Sequence, residues 1–170
     1  MGDYSSYAAL AMRWAEVCRD PTLRNLPYKI ELNAWGQIEM SPASTWHARL
    51  QGRVATEVAQ QLPAGEVLTE CPIHTAIGIR VPDVAWASRD FIERHGSASP
   101  YPAAPEICIE VLSPTNSATE IREKTRAYLQ AGALEVWIVD ETGIVSYFDA
   151  SGPRESSGYP VTLRLPSPAP

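Results

Sequence analysis

The hexapeptide Ile107-Cys108-Ile109-Glu110-Val111-Leu112 constrains the fold more than any other stretch of the 170-residue chain. A short run this apolar, stopped by Ser113-Pro114, reads as a central strand buried on both faces. Such a strand needs covering layers, and the text that follows supplies one. Ser117-x-x-Glu120 is a capping box that opens a helix through Gln130, and Gly132 stands where a C′ glycine belongs. Residues 134–140 then form a second buried strand. Gly143 turns the chain into a hairpin partner at 144–149.

Upstream, residues 3–19 carry Ala8, Leu10, Ala11, Trp14, Val17 and Cys18 near a helical period, with Asp3 or Ser5 as cap and Pro21 as stop. Residues 28–32 and 37–40 read as a hairpin around Asn33-Ala34-Trp35-Gly36. A second helix runs from about Ser41 to Leu62, with Leu50, Val54, Val58 and Leu62 as its apolar stripe. Residues 66–71, 76–81 and 83–87 look like strands. Residues 88–105 read as a loop with one helical turn around Phe91. Residues 161–165 suggest an edge strand before a Pro-rich end. The fold class is therefore α/β: a mixed sheet flanked by α-helices in a single domain. Within residues 1–170 we distinguish an N-terminal helical extension (1–27), a core (28–149) and a C-terminal edge strand with a Pro-rich tail (150–170).

A net charge of −6 excludes a chain that coats nucleic acid by bulk charge, and leaves room only for a local basic face. The three cysteines are too few and too scattered for a disulfide framework or a zinc site. No stretch is long and apolar enough for a membrane span, and the N-terminus has no signal-peptide pattern. A cytoplasmic location is the expectation.

Three polar residues stand where the local pattern wants apolar ones. Glu110 interrupts the central strand, where a charged carboxylate is costly unless it is paired or binds a metal; a salt-bridged Glu at the strand end is the plainer alternative. Asp83 follows Pro82 at a strand start, and the plainer alternative there is a turn. Lys124 shares helical register with Ile121 and Tyr128, which points it inward as a partly exposed side chain; an outer Glu120–Lys124 pair is the alternative. The chain has only two lysines beside its arginines, so a lysine here hints that a compact, tunable ammonium is wanted. Together an Asp, a Glu and a Lys can hold Mg²⁺ and manage an attacking water.

These residues also carry a resemblance. Pro82-Asp83-Val84, the block from Pro105 to Ser117, Glu123-Lys124-x-x-x-Tyr128-x-x-x-Gly132 and Glu135-Val136-Trp137-Ile138-Val139-Asp140 resemble the Uma-type restriction endonuclease family, a branch of the PD-(D/E)XK nuclease superfamily. The hairpin with Glu31 and Gly36, and Ser41-Pro42 with His47, extend the likeness over about residues 28–149. It implies a restriction-endonuclease-like fold and Mg²⁺- (or Mn²⁺-) dependent hydrolysis of DNA phosphodiesters. By that likeness Asp83, Glu110 and Lys124 are catalytic. Asp83, Glu110 and the backbone carbonyl of Val111 hold the metal, and Glu31 and His47 are possible further members. The superfamily's Glu-x-Lys is absent, since Leu112 stands two after Glu110; Lys124 matches a lysine moved to the following helix.

Arg49, Arg53, Arg122 and Arg126 are the candidates for a DNA-holding patch. A homodimer is the simplest way to cut two strands, and neither a nucleotide cofactor nor a membrane partner is expected. A catalytically silent nuclease-like module that binds a protein or nucleic acid is the competing reading. A sugar hydrolase with two facing acids would need no lysine.

Overall fold

The computed structural model describes Tyr4 and residues 6–167. Asp3 and Ser5, the two caps expected from sequence, and residues 168–170 of the Pro-rich tail lie outside the described residues. Helix α1 (Tyr7–Arg19) is capped by Ser6, whose hydroxyl accepts from the Ala9 amide. It buries Leu10, Trp14 and Val17 against Leu32, Ile79 and Val81.

Strands β1 (Tyr28–Asn33) and β2 (Ile38–Pro42) pair antiparallel, turning through Gly36 at φ +71°. Because Pro42 still belongs to β2, helix α2 (Thr45–Gln61) starts a few residues later than the sequence suggests, capped by Ser44. Leu50, Val54 and Val58 form its buried stripe. Each such side chain contributes about 1.5–3 kcal/mol by leaving water.

Strand β3 (Gly65–Thr69) follows. Residues 76–81 are not one strand: β4 (Ile73–Thr75) and β5 (Gly78–Arg80) make a tight hairpin instead. Gly78 is the reason. At φ +118° it turns where a side chain would be strained, and a Cβ there would stand 2.1 Å from the Leu32 carbonyl oxygen. Strand β6 (Val84–Ser88) runs into α3 (Arg89–His95), a helix of seven residues where one turn was expected; Ser88 caps it at the Phe91 amide. Then come β7 (Ile107–Val111), α4 (Ala118–Gln130), β8 (Glu135–Val139), β9 (Val145–Asp149) and β10 (Gly152–Arg154).

The strands form two sheets, ordered β2-β1-β5-β4 and β10-β9-β8-β7-β6-β3. In the second, β7 and β8 are parallel, joined by α4, while the other pairings are antiparallel. It is a mixed sheet covered by helices. Alternation along β7 decides what each residue meets: Ile107, Ile109 and Val111 share a core with α2, whereas Cys108 lies in the core of Tyr128 on α4. Glu110 therefore turns toward α4.

Residues 161–165 are not an edge strand. Val161, Leu163 and Leu165 alternate inward and pack on the α2 core. Their backbone pairs with side chains of α2, where Gln61 Nε2 donates to the Thr162 carbonyl, the Thr162 amide donates to Gln61 Oε1, and Arg53 Nε donates to the Arg164 carbonyl. The sheet edge is β10. Buried Glu135 pins the entry to this strap, accepting from Trp137 Nε1, Ser157 Oγ and the Gly158 amide.

Candidate active site

The chain passes from the small sheet to the large one through Val81-Pro82-Asp83, and the candidate site forms at that passage. β1 brings Lys29 and Glu31, which alternate onto one face, and β5 brings Arg80. β7 brings Glu110, α4 brings Lys124 and Tyr128, and α2 brings His47 and Gln51. A cleft of about 440 Å³ opens over Lys29, His47, Asp83, Glu110, Val111 and Lys124.

Asp83 is 1% exposed and spends both oxygens. Its Oδ2 accepts from the Val111 amide at 2.7 Å and contacts His47 Nε2 at 3.2 Å, while Oδ1 accepts from Lys29 Nζ at 2.8 Å. Gln51 Nε2 donates to the Asp83 carbonyl. Glu110 Oε1 accepts from Tyr128 Oη at 2.7 Å and lies 3.5 Å from Lys124 Nζ; its Oε2 lies 3.4 Å from Lys29 Nζ. Glu31 accepts from the Val81 amide and from Lys124 Nζ at 2.9 Å, with Arg80 at 3.5 Å. Arg80 also pairs with Glu39.

The electrostatics follow from burial and pairing. Burial pushes the Asp83 carboxyl up, but the His47 hydrogen bond and the Lys29 charge outweigh it and hold the group well below the usual carboxylate range. Glu31 is held low in the same way, burial being overcome by Lys124 and Lys29. Glu110 goes the other way: burial raises it despite both ammoniums. Burial alone would lower the two lysines, yet the surrounding carboxylates raise both. The hydrogen bond to Asp83 raises His47 against the effect of burial. Two neighbouring carboxyls thus differ in proton affinity, a pattern frequent at catalytic centres and also found in structural ion networks.

The structure brings together Asp83, Glu110, Lys124, Glu31 and His47, all five singled out from sequence, with Val111 beside them. It adds Lys29, Tyr128, Arg80 and Gln51, which the sequence reading did not select. The one available signal for Lys29 was that the chain has just two lysines; both meet at Glu110. Lys124 is 8% exposed rather than partly exposed, and Glu120 instead accepts from Asn116. The four arginines are elsewhere. Arg49 lies over the Trp46 ring and shares a shallow groove with Arg53, which pairs with Glu57. Arg122 and Arg126 line another groove beside Phe148. None of them lines the cleft, because Lys124 and Tyr128 take the inward face of α4 while His47 and Gln51 take the cleft side of α2.

Among the described residues no three His, Cys, Asp or Glu side chains are gathered as a ready metal centre. The donor chemistry nevertheless suits Mg²⁺, which takes one or two carboxylates and fills its remaining positions with water and substrate oxygens. Asp83 Oδ1 and Glu110 Oε2 face one common point, and the cleft beside it is open. No helix among the described residues is long and apolar enough to cross a membrane.

The model of the family described as "Uma2: Putative restriction endonuclease" matches residues 14–162, extending beyond 28–149 in both directions. A crystal structure of a putative nuclease belonging to DUF820, from Anabaena variabilis, is 19% identical, covers 82% of this chain and 81% of its own, and superimposes with a TM-score of 0.60. At that identity the likeness is one of fold. No curated protein matches the chain.

Proposed function

Since the chain belongs to the Uma2 restriction endonuclease family, we propose that it is a Mg²⁺- or Mn²⁺-dependent nuclease that hydrolyses DNA phosphodiester bonds at this cleft. The observation that carries the reading is the convergence of Asp83 and Glu110, from the β5–β6 connection and the central strand, on one cation-sized point beside the Lys124 ammonium.

Asp83 Oδ1, Glu110 Oε2 and the Val111 carbonyl would hold the metal. When bound, it lowers the pKa of a coordinated water and offsets charge on the phosphorane-like centre. The remaining work belongs to side chains. Tyr128 and Lys124 fix the Glu110 carboxylate from its far oxygen, so Oε2 stays turned to the cleft. Glu31 anchors Lys124 at 2.9 Å and keeps its ammonium beside the reacting phosphate, where it stabilises developing negative charge. His47 and the Val111 amide hold Asp83 in one orientation. A homodimer, placing one cleft on each strand, belongs to the same proposal.

The competing reading, a silent nuclease-like module, has one observation in its favour. Glu31, Asp83 and Glu110 are matched by Lys29, Arg80 and Lys124, as in an ion network that serves only the fold. Plasmid nicking separates the two. Purified protein should nick supercoiled DNA with Mg²⁺ or Mn²⁺ and stop with EDTA, while folded Asp83→Asn should be inactive. Equal activity in parent and variant, or none with either metal, would overturn the nuclease reading.

A further inference from the structure

We propose that Lys29 is a built-in placeholder for the catalytic cation: its ammonium occupies the metal position and must leave when a divalent ion enters. The inference rests on the metal-dependent reading above and deepens it, by adding a residue that decides when the site can load.

Counting the committed lone pairs leads to it. Asp83 Oδ2 already serves the Val111 amide and His47, so Oδ1 is the oxygen left for a metal. Glu110 Oε1 already serves Tyr128 and Lys124, so Oε2 is the oxygen left there. Those two oxygens are the pair that Lys29 holds, at 2.8 and 3.4 Å. Mg²⁺ needs oxygens at about 2.1 Å and cannot share that point with an ammonium, since both are cations competing for the same donors.

The charge count agrees. Three buried carboxylates, Glu31, Asp83 and Glu110, face three buried or nearly buried cations, Lys29, Arg80 and Lys124, so the buried groups balance before any metal arrives, Glu39 on Arg80 being half exposed. Adding a divalent ion without removing a cation would leave an uncompensated buried charge. Of the three, Lys29 is the one whose carboxylate partners, Asp83 and Glu110, are both the proposed metal ligands. Lys124 is anchored on Glu31 as well as Glu110, and Arg80 on Glu31 and Glu39. Lys29 lines both the main cleft and a second, open groove beside α1, and exposed Glu70 lines both as well, offering the departing ammonium a carboxylate.

Because the chain has only two lysines, amine labelling of the unmodified protein reads the exchange directly. We expect Mg²⁺, at concentrations that calorimetry shows to saturate the site, to speed acetylation of Lys29. The gain should be at least about tenfold, because an ammonium withdrawn from two buried carboxylates is open to the reagent, which one held between them is not. Lys124, still paired with Glu31, should change far less.

Lys29→Met should in addition bind Mn²⁺ more tightly than the parent, with circular dichroism confirming its fold. Saturating Mg²⁺ that leaves Lys29 labelling unchanged overturns the placeholder and leaves the metal site standing. An absence of Mg²⁺ and Mn²⁺ binding in parent and folded Lys29→Met alike overturns both readings.

Discussion

Neutralising Asp83 should make the molecule far easier to unfold, and that cost should not simply add to the cost of neutralising Lys29. Asp83→Asn places an amide against three donors, the Val111 amide at 2.7 Å, Lys29 Nζ at 2.8 Å and His47 Nε2 at 3.2 Å, in a position 1% exposed. It also strands the Lys29 ammonium on Glu110 alone, at 3.4 Å. Removing one partner of a buried pair costs about 3–5 kcal/mol, because the other charge stays in low dielectric without compensation. With a slope of about 2 kcal/mol per molar urea, the denaturation midpoint should fall by roughly 1.5–2.5 M.

Lys29→Met leaves the same interaction broken from the other side. The double variant Lys29→Met/Asp83→Asn should therefore be less destabilised than the two singles added together, by about 1–3 kcal/mol. Urea denaturation followed by circular dichroism on all four proteins closes the cycle. Additivity within about 0.5 kcal/mol, or a midpoint shift under about 0.5 M for Asp83→Asn, would refute the view that this pair is a desolvated, interdependent unit.

The other predictions concern neighbours of that pair. Lys124→Met should cut metal-dependent nicking by about 10²–10³, as expected for a preorganised group acting on developing charge, and Lys124→Met should also lower stability, since Lys124 is buried on Glu31 and Glu110; parent-like nicking would show that the ammonium takes no part. Tyr128→Phe removes the donor to Glu110 Oε1 and should cost about 1.5–3 kcal/mol as a hydrogen bond to a charged group, read as a urea midpoint. Asp83 is depressed in the folded state, so its contribution is complete above its unfolded value of about 3.9 and is lost as pH falls below that toward the lower folded value. The parent's urea midpoint should drop across that acid range, and Asp83→Asn should show a shallower drop; parallel curves would count against the assignment.

Much of this was legible because local chemistry and tertiary role agreed. Within the run 107–112, Ile107–Val111 form the expected strand buried on both faces, and the charge that breaks its pattern sits in the cleft. Ser117 caps α4 as its spacing implies. The misses have physical reasons. Lys29 alternates with Ile30 in an ordinary strand, and only the packing of β1 over the large sheet's passage turns its face inward. Residues 161–165 have a strand's alternation without a strand's ladder, because periodicity reports which side is apolar and not where the backbone hydrogen bonds go. Residues 76–81 look continuous until Gly78 breaks them, and nothing local shows that Leu32 stands 2.1 Å from the Cβ it lacks.

The placement of the cluster at the join of two sheets has a mechanical consequence. Lys29, Glu31 and Arg80 ride on one sheet while Glu110 rides on the other, with Asp83 in the connection between β5 and β6, one of three places where the chain crosses between the sheets. The joint carries these charged groups on one side, while on the other Ile73 of β4 is buried in the same apolar core as Ala85, Cys108 and Tyr128. Neutralising the charges should therefore loosen one side of the seam while the apolar side still holds, since regions secured by few apolar contacts open at lower free energy than the core. The centre would then come apart as hardware loosened at a hinge, with its strands and helices still in place.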